Sequence, residues 1–526
     1  MKKITSILLA MMLILGVCGS AMFTVGAEEV TSDTWDGTAS VKWYLDGTNA
    51  DGAYELKTAE DLAGLAFLVG AAQAEGRYIG VYYRADGTVA GYKAGTNDVG
   101  QQDSSLIAGS VDGLECVNGD TFFGKTVVLT VDVVLNEGNA ADWATTAPAN
   151  MWQPIGGNIL NGGGKRAGFD GEFDGQGHTV SGLYYKSSTD FGGLFGVTGQ
   201  QFPATIQNLK ITNCYVYGQE ECGVLVGRSS KGLTVNNVYI SDSIVETTGA
   251  SAAAYIGTVF GGAVSFQNSA VENVKVQALR YTGIFTGMTV SQDLEITNCY
   301  VKNSSAKGDG QVGLVSGRMA GGNISIRTSY AIVELEATGT EAETNSRLSA
   351  AGLIYGVAGD NNKPGMRAIE GFYHVSTVVT ADETLINAEM ADQATAVELT
   401  QLTGDAAKTT LEGFDFETIW KAVEGDTPVI ELRAGAEGGG DDDDDDFFLP
   451  EDGNDDGNDD GNDDGNDDGN GGTNNNDNTN TETKAPETNA PTANEEKSGC
   501  GSVVGFTGFA LIVVISGAAV MLKKEN

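Results

Sequence analysis

Histidine is nearly absent: His178 and His374 are the two in the chain. A zinc-peptidase helix of H-E-x-x-H type needs two within five positions, so that chemistry is excluded. Basic charge is scarce too. Thirty Lys and Arg face 72 Asp and Glu, a formal net charge of −42, which argues against nucleic acid as a partner. There are eight prolines in 526 residues, and the stretch from about Trp35 to Arg433 is nearly free of them. No nucleotide-binding loop and no Ser/His/Asp arrangement stands out.

Long apolar runs occur only at the two ends. Lys2 and Lys3 precede an apolar run from Ile7 to Val17, and Val25-Gly26-Ala27 offers small residues to a peptidase. That reads as a secretory signal peptide over 1–27, leaving Glu28 first. A lipoprotein site at Cys18 is disfavoured by bulky Val17. Ser502 to Leu522 carries no charge and is closed by Lys523 and Lys524. It is long enough to cross ~30 Å of hydrocarbon as a helix. Residues 501–526 are therefore expected to anchor the chain, single-pass, with a Lys-rich cytoplasmic tail and the rest on the extracellular face. Leu449-Pro450-Glu451-Asp452-Gly453 is a poor sortase signal, because Asp452 replaces threonine and the helix lies far downstream.

Residues 434–500 are read as a disordered acidic spacer. From Gly438 to Ser498, 21 Asp and Glu face two Lys, a composition too polar to offset chain entropy. Asp456, Asn458 and Asp460 begin a D-x-N-x-D-G pattern, but no bidentate acid closes it, leaving at most weak, non-specific calcium uptake. No other cofactor is expected.

The remainder repeats. Gly-x-apolar-x-Gly occurs at Gly192, Gly223, Gly257, Gly283, Gly313 and Gly352, at intervals of 31, 34, 26, 30 and 39 residues. Interleaved with it are Asn208-Leu209-Lys210-Ile211, Asn237-Val238-Tyr239-Ile240, Asn273-Val274-Lys275-Val276, Asp293-Leu294-Glu295-Ile296 and Asn323-Ile324-Ser325-Ile326. Short strands such as Cys214-Tyr215-Val216 and Cys299-Tyr300-Val301 follow. Period-two alternation in short strands, recurring every ~30 residues, indicates a solenoid of about six coils. The Asn or Asp residues suit left-handed corners and a side-chain ladder, and the glycines suit sharp turns. Thr58 and Asp61 resemble a helix-capping pair ahead of Leu62 to Val69, so a short helix is expected to cover the solenoid's open end.

These motifs resemble the GLUG-motif proteins of bacterial cell surfaces. The resemblance rests on Gly192-Gly193-Leu194-Phe195-Gly196, Ile206-Gln207-Asn208-Leu209 and Gly223-Val224-Leu225-Val226-Gly227. Also similar are Trp152-Gln153-Pro154-Ile155-Gly156, Phe173-Asp174-Gly175-Gln176-Gly177-His178, and Gly413 to Trp420. It covers roughly 35–433 and implies an all-β, right-handed parallel β-helix in adhesin-like proteins. The organisation would be a capping region with the first strands over 28–180, repeats over 181–380 and a C-terminal cap over 381–433.

This fold also hosts glycan lyases. Asp170, Glu172 and Asp174 alternate with Phe169, Gly171 and Phe173, so on one strand they would share an outer face at ~7 Å spacing. That could serve calcium or acid-assisted glycoside cleavage, with His178 close by. The plainer reading makes Asp174-Gly175-Gln176-Gly177 a turn and the acids solvated. Arg228 and Arg318, three coils or ~14 Å apart, make no evident catalytic cluster. Cys214 and Cys299 align as equivalent positions three coils apart, too far to bridge; a Cys214–Cys222 bridge is less excluded. The expected function is a non-enzymatic surface module binding an extracellular glycan or protein. A polysaccharide lyase or glycosidase and a structural coat protein are the alternatives.

Overall fold

In the computed structural model, the described residues are 34–430, apart from short stretches at 74–76, 79, 94–105, 108–111, 158–166, 189–190, 340–341, 344–346, 359–364 and 382–385. The expected signal peptide, the expected spacer with Asp456, Asn458 and Asp460, and the expected Ser502–Leu522 anchor lie outside them. Among the described residues no helix is long and apolar enough to cross a membrane.

The chain winds as a parallel β-solenoid of about five turns. Each turn presents five faces, some of them sharing one bent strand. Faces 1 to 3 belong to one 18-stranded sheet and faces 4 and 5 to two six-stranded sheets. In one turn, Ala204–Thr212 supplies faces 1 and 2, Tyr215–Gly218 face 3, Cys222–Gly223 face 4 and Val226–Ser229 face 5. Each strand pairs in parallel with its counterpart about 30 residues later. On face 1 the inward column is Phe173, Ile206, Val235, Phe266, Ile296 and Ile326. All are at most 1% exposed, and each contributes roughly 2 kcal/mol by burial.

The corners come from left-handed residues. Asn208, Asn237, Asn268, Asn298 and Thr328 turn face 1 into face 2, and Asn213, Asp242, Asn273 and Asn303 turn face 2 into face 3, all at positive φ. Their side chains form the expected ladder: Asn237 Nδ2 donates to Asn208 Oδ1 at 2.9 Å and Asn298 Nδ2 to Asn268 Oδ1 at 3.1 Å. Asn pays little for this backbone conformation, and its amide satisfies the rung beside it.

Two sequence alignments need correcting. The Asn-led segments belong to three different faces. Asn273-Val274-Lys275-Val276 is level with Asp242-Ser243-Ile244-Val245 on face 3, whereas Leu294 and Ile324 are level with Val264 on face 1. Likewise Gly257 is level with Gly227, so it fills the second glycine position, and Ala253 is level with the first, Gly223. The uneven intervals of 34 and 26 residues thus become two regular steps. Nor is Gly-x-apolar-x-Gly a single strand. It spans the sharp arch where face 4 ends and face 5 begins.

The same register separates the cysteines. Cys214 precedes a face 3 strand and Cys299 a face 2 strand, so they are not equivalent. Both are buried, as is Cys222, whereas Cys116 is exposed. Burial pushes the Cys214 and Cys299 thiols up to about 12. Native alkylation followed by peptide mapping is expected to label Cys116 and to spare Cys214, Cys222 and Cys299 until the chain is denatured. A disulfide-linked peptide containing two of those three would contradict the register.

Lys57 and Thr58 start a helix, Ala59–Ala71. Thr58 Oγ1 accepts from Asp61 N at 3.2 Å, and Lys57 N donates back to Asp61 Oδ2 at 3.0 Å. Ten of its thirteen residues are buried, and Leu62, Leu65 and Val69 share one core with Leu56, Val127 and Leu129 of the first strands. Solenoid pairing starts there, because Ala53–Leu56 pairs with Thr126–Leu129, and that strand with Glu172–Asp174.

At the other end Ile386–Asn387 adds a last strand to face 4, and the chain beyond it folds back over face 2. Tyr300 and Tyr330 stack at 5.3 Å, and Trp420 lies 5.8 Å from Tyr330. Tyr330 Oη donates to Pro428 O at 2.5 Å. Tyr330→Phe removes that bond while keeping the ring, so a loss of about 1 kcal/mol in chemical denaturation is expected. An unchanged midpoint would mean that the segment does not sit on face 2 in solution.

Candidate functional site

The three candidate carboxylates do not share a face. The strand holds only Glu172–Asp174, and Asp170 precedes it at 2% exposure. Asp170 N donates to Thr121 O at 2.8 Å, and its Oδ1 accepts from Gln201 N at 3.2 Å. It therefore ties the loop before Thr126–Leu129 to the loop before Ala204–Thr212. Burial pushes its carboxyl above the usual range, opposed by backbone N–H donors of Gln201, Phe202 and Gln200.

Glu172 and Asp174 do point outward together. Gln207 on the next rung bridges them, its Nε2 lying 2.8 Å from Glu172 Oε1 and 3.3 Å from Asp174 Oδ2. Asp174 also accepts from Asn208 Nδ2 at 3.0 Å and Gln176 N at 2.8 Å. Gln176 and Gly177 both have positive φ, and His178 N donates to Gly175 O at 2.8 Å, so Asp174–Gly177 opens a tight turn. His178 faces Asp132, with Nδ1 3.2 Å from Oδ1. No Lys or Arg forms an ion pair with either acid among the described residues. The outer columns of face 1 continue as hydroxyls and amides: Thr205, Thr234 and Ser265 beside Gln207, Asn236 and Gln267.

Arg228 and Arg318 are three rungs apart in one column of face 5. Each is engaged separately. Arg228 is buried against Glu221, and Arg318 NH1 donates to Tyr281 Oη at 2.9 Å. Among the described residues, no group of three or more His, Cys, Asp or Glu is placed to hold a metal ion.

What the motif reading missed lies in the corner between faces 5 and 1. Phe123 and Phe202, on the two loops joined by Asp170, stack at 3.7 Å and 21° while remaining 54% and 40% exposed. Two rungs further, in the equivalent corner after Ile256–Val259, Phe260 is 53% exposed. Its ring rests 4.8 Å from the Arg228 guanidinium. These corners lead into face 1, whose outer columns carry the hydroxyl and amide groups. Lone aromatics in otherwise polar turns were the available signal.

The fold and its faces define a class, a parallel β-solenoid built on a repeat of about 30 residues. No protein-family model matches the chain. It is similar to halomucin of Haloquadratum walsbyi, 30% identical over 168 residues, a match covering 31% of this chain and 2% of that protein. The chain thus spans a small fraction of that relative's length. Among solved structures it is similar to a Bacteroides ovatus protein named as a candidate immunoglobulin A1 protease. That match has 20% identity and a TM-score of 0.37, covering 59% of this chain and 86% of the other.

Proposed function

We propose that this chain is a non-enzymatic surface protein of the GLUG-motif kind, a right-handed β-helix that binds an extracellular glycan. The N-terminal helix is its end cap, the acidic spacer holds it away from the cell, and Ser502 to Leu522 anchors it in the membrane. The similarity to a stretch of halomucin is in keeping with a surface location.

The observation that supports glycan binding is the exposed row Phe123, Phe202 and Phe260 beside face 1. Apolar sugar faces stack on aromatic rings, and sugar hydroxyls pair with the Thr, Ser, Gln and Asn columns next to them. The corners that carry these rings stack along the solenoid axis, which suits an extended chain. The test is a glycan array on the full-length protein beside a turnover screen on polyuronates. Binding without turnover, lost in Phe123→Ala/Phe202→Ala, is expected. Turnover abolished by Asp174→Asn would replace this reading with the lyase or glycosidase one. Silence on both screens from folded protein would leave the coat-protein reading.

A further inference from the structure

A second surface, away from the aromatic corner, is built to take charge. Where face 3 turns into face 4, a groove of about 550 Å³ crosses four rungs. Lys186 lies on the first rung, Tyr217, Gln219 and Glu220 on the second, Thr248 and Gly249 on the third and Arg280 on the fourth. Glu220, Gly249 and Arg280 lie on successive rungs, in the corners just beyond the paired residues of face 3. No side chain fits at Gly249, where a Cβ would meet Gln219 O at 2.4 Å and Glu220 Cγ at 3.0 Å. The notch is therefore a consequence of close backbone packing.

Two cations at the groove's ends are under-used. Arg280 Nε is buried without a hydrogen-bond partner, and its guanidinium makes no ion pair among the described residues. Lys186 Nζ donates to Ala144 O at 3.2 Å and lies 5.5 Å from the Tyr217 ring centre, leaving further N–H groups for a ligand. The two stand three rungs, or ~14 Å, apart. Between them lie the hydroxyl and amide groups of Ser187, Ser188, Gln219 and Thr248, together with the Glu220 carboxylate. The forked N–H groups of an arginine that makes no ion pair match a carboxylate's two oxygens, and the intervening hydroxyl and amide groups match sugar hydroxyls.

We infer that this groove binds an acidic sugar chain through uronate carboxylates, with Arg280 as the principal contact and Lys186 as the second. The inference deepens the proposed glycan-binding function but uses different residues from the aromatic row, so the two fail separately. The probe is trigalacturonate titrated into the full-length protein by calorimetry, with maltotriose as the neutral comparator and a sulfated disaccharide as the alternative anion. Arg280→Gln is expected to weaken trigalacturonate binding about tenfold or more, the loss of one charge-assisted pair. Arg280→Lys is expected to recover part of it, and Lys186→Gln to weaken binding less. Phe123→Ala/Phe202→Ala should leave this binding in place. Equal affinity for maltotriose, unchanged binding in a folded Arg280→Gln, or preference for the sulfated sugar would each overturn the inference. Absence of trigalacturonate binding overturns it too, and leaves glycan binding at the aromatic row to be read from its own variants.

Discussion

Gly287→Val is expected to destabilise the fold strongly, although it adds an apolar side chain to an apolar neighbourhood. Gly287 is the second glycine of its arch, on face 5, where the chain lies directly against face 4. A Cβ there would stand 2.6 Å from Gly257 O and 2.8 Å from Ala252 N, both backbone atoms. Gly257 meets Gly227 O at 2.7 Å in the same way, and Gly317 meets Gly287 O at 2.8 Å. Each glycine is therefore packed against the carbonyl of the one before it. Backbone within two parallel ladders cannot move aside as a side-chain tip would. Overpacking of this kind should cost about 3 kcal/mol or more. Because each rung touches only its neighbours, hydrogen exchange should show protection lost first around Val226–Ser229, Ile256–Val259 and Thr286–Val290. Gly52→Asn is the comparison, since Gly52 sits at φ 82° with no atom within 4 Å of a Cβ and Asn tolerates that backbone. If Gly287→Val proved as stable as Gly52→Asn, faces 4 and 5 would not approach as closely as described.

That close approach also shows how far local pattern can be read. The repeat length, the left-handed Asn corners and the capped helix at Thr58 all follow from residues near each other in the chain. Assignment of segments to faces does not. Faces 1, 2 and 3 each hold a strand with a polar residue before two inward apolar ones, so Asn208, Asn273 and Asp293 look alike while occupying three columns. Gly257 misleads for a similar reason: Gly261 lies four residues on, although Ala253 is its partner in the arch. Alternation likewise suggested that Asp170 lies outside beside Glu172. Instead its chain segment bends into the corner and its carboxyl holds the loop carrying Phe202. The acidic-sugar groove leaves no local trace at all. Lys186, Glu220, Gly249 and Arg280 belong to four separate turns, and only the register brings them together.

The Arg228–Glu221 pair tests that register most directly. Arg228 Nε and NH2 both donate to the Glu221 carboxylate, and each residue is 7% exposed. The guanidinium lies 5.2 Å from the Phe191 ring centre and 4.8 Å from that of Phe260. Arg228→Thr leaves Glu221 buried without its counter-charge, and Glu221→Ser strands the arginine. Each single substitution should therefore cost about 3–5 kcal/mol in denaturant unfolding. One rung on, the same two positions are Ser251 and Thr258, whose hydroxyl oxygens are 2.7 Å apart in a buried, neutral pair. Glu221→Ser/Arg228→Thr copies that pair, removing both charges together and replacing them with groups that satisfy each other. The double variant should regain most of the stability lost by either single one, with a coupling energy of at least about 2 kcal/mol. Additive losses would mean that Glu221 and Arg228 do not face each other across the arch. Recovery has a functional corollary: Phe260 would lose the cation beneath its ring while the fold stayed intact, so weaker glycan binding in the stable double variant would place Phe260 within the binding row.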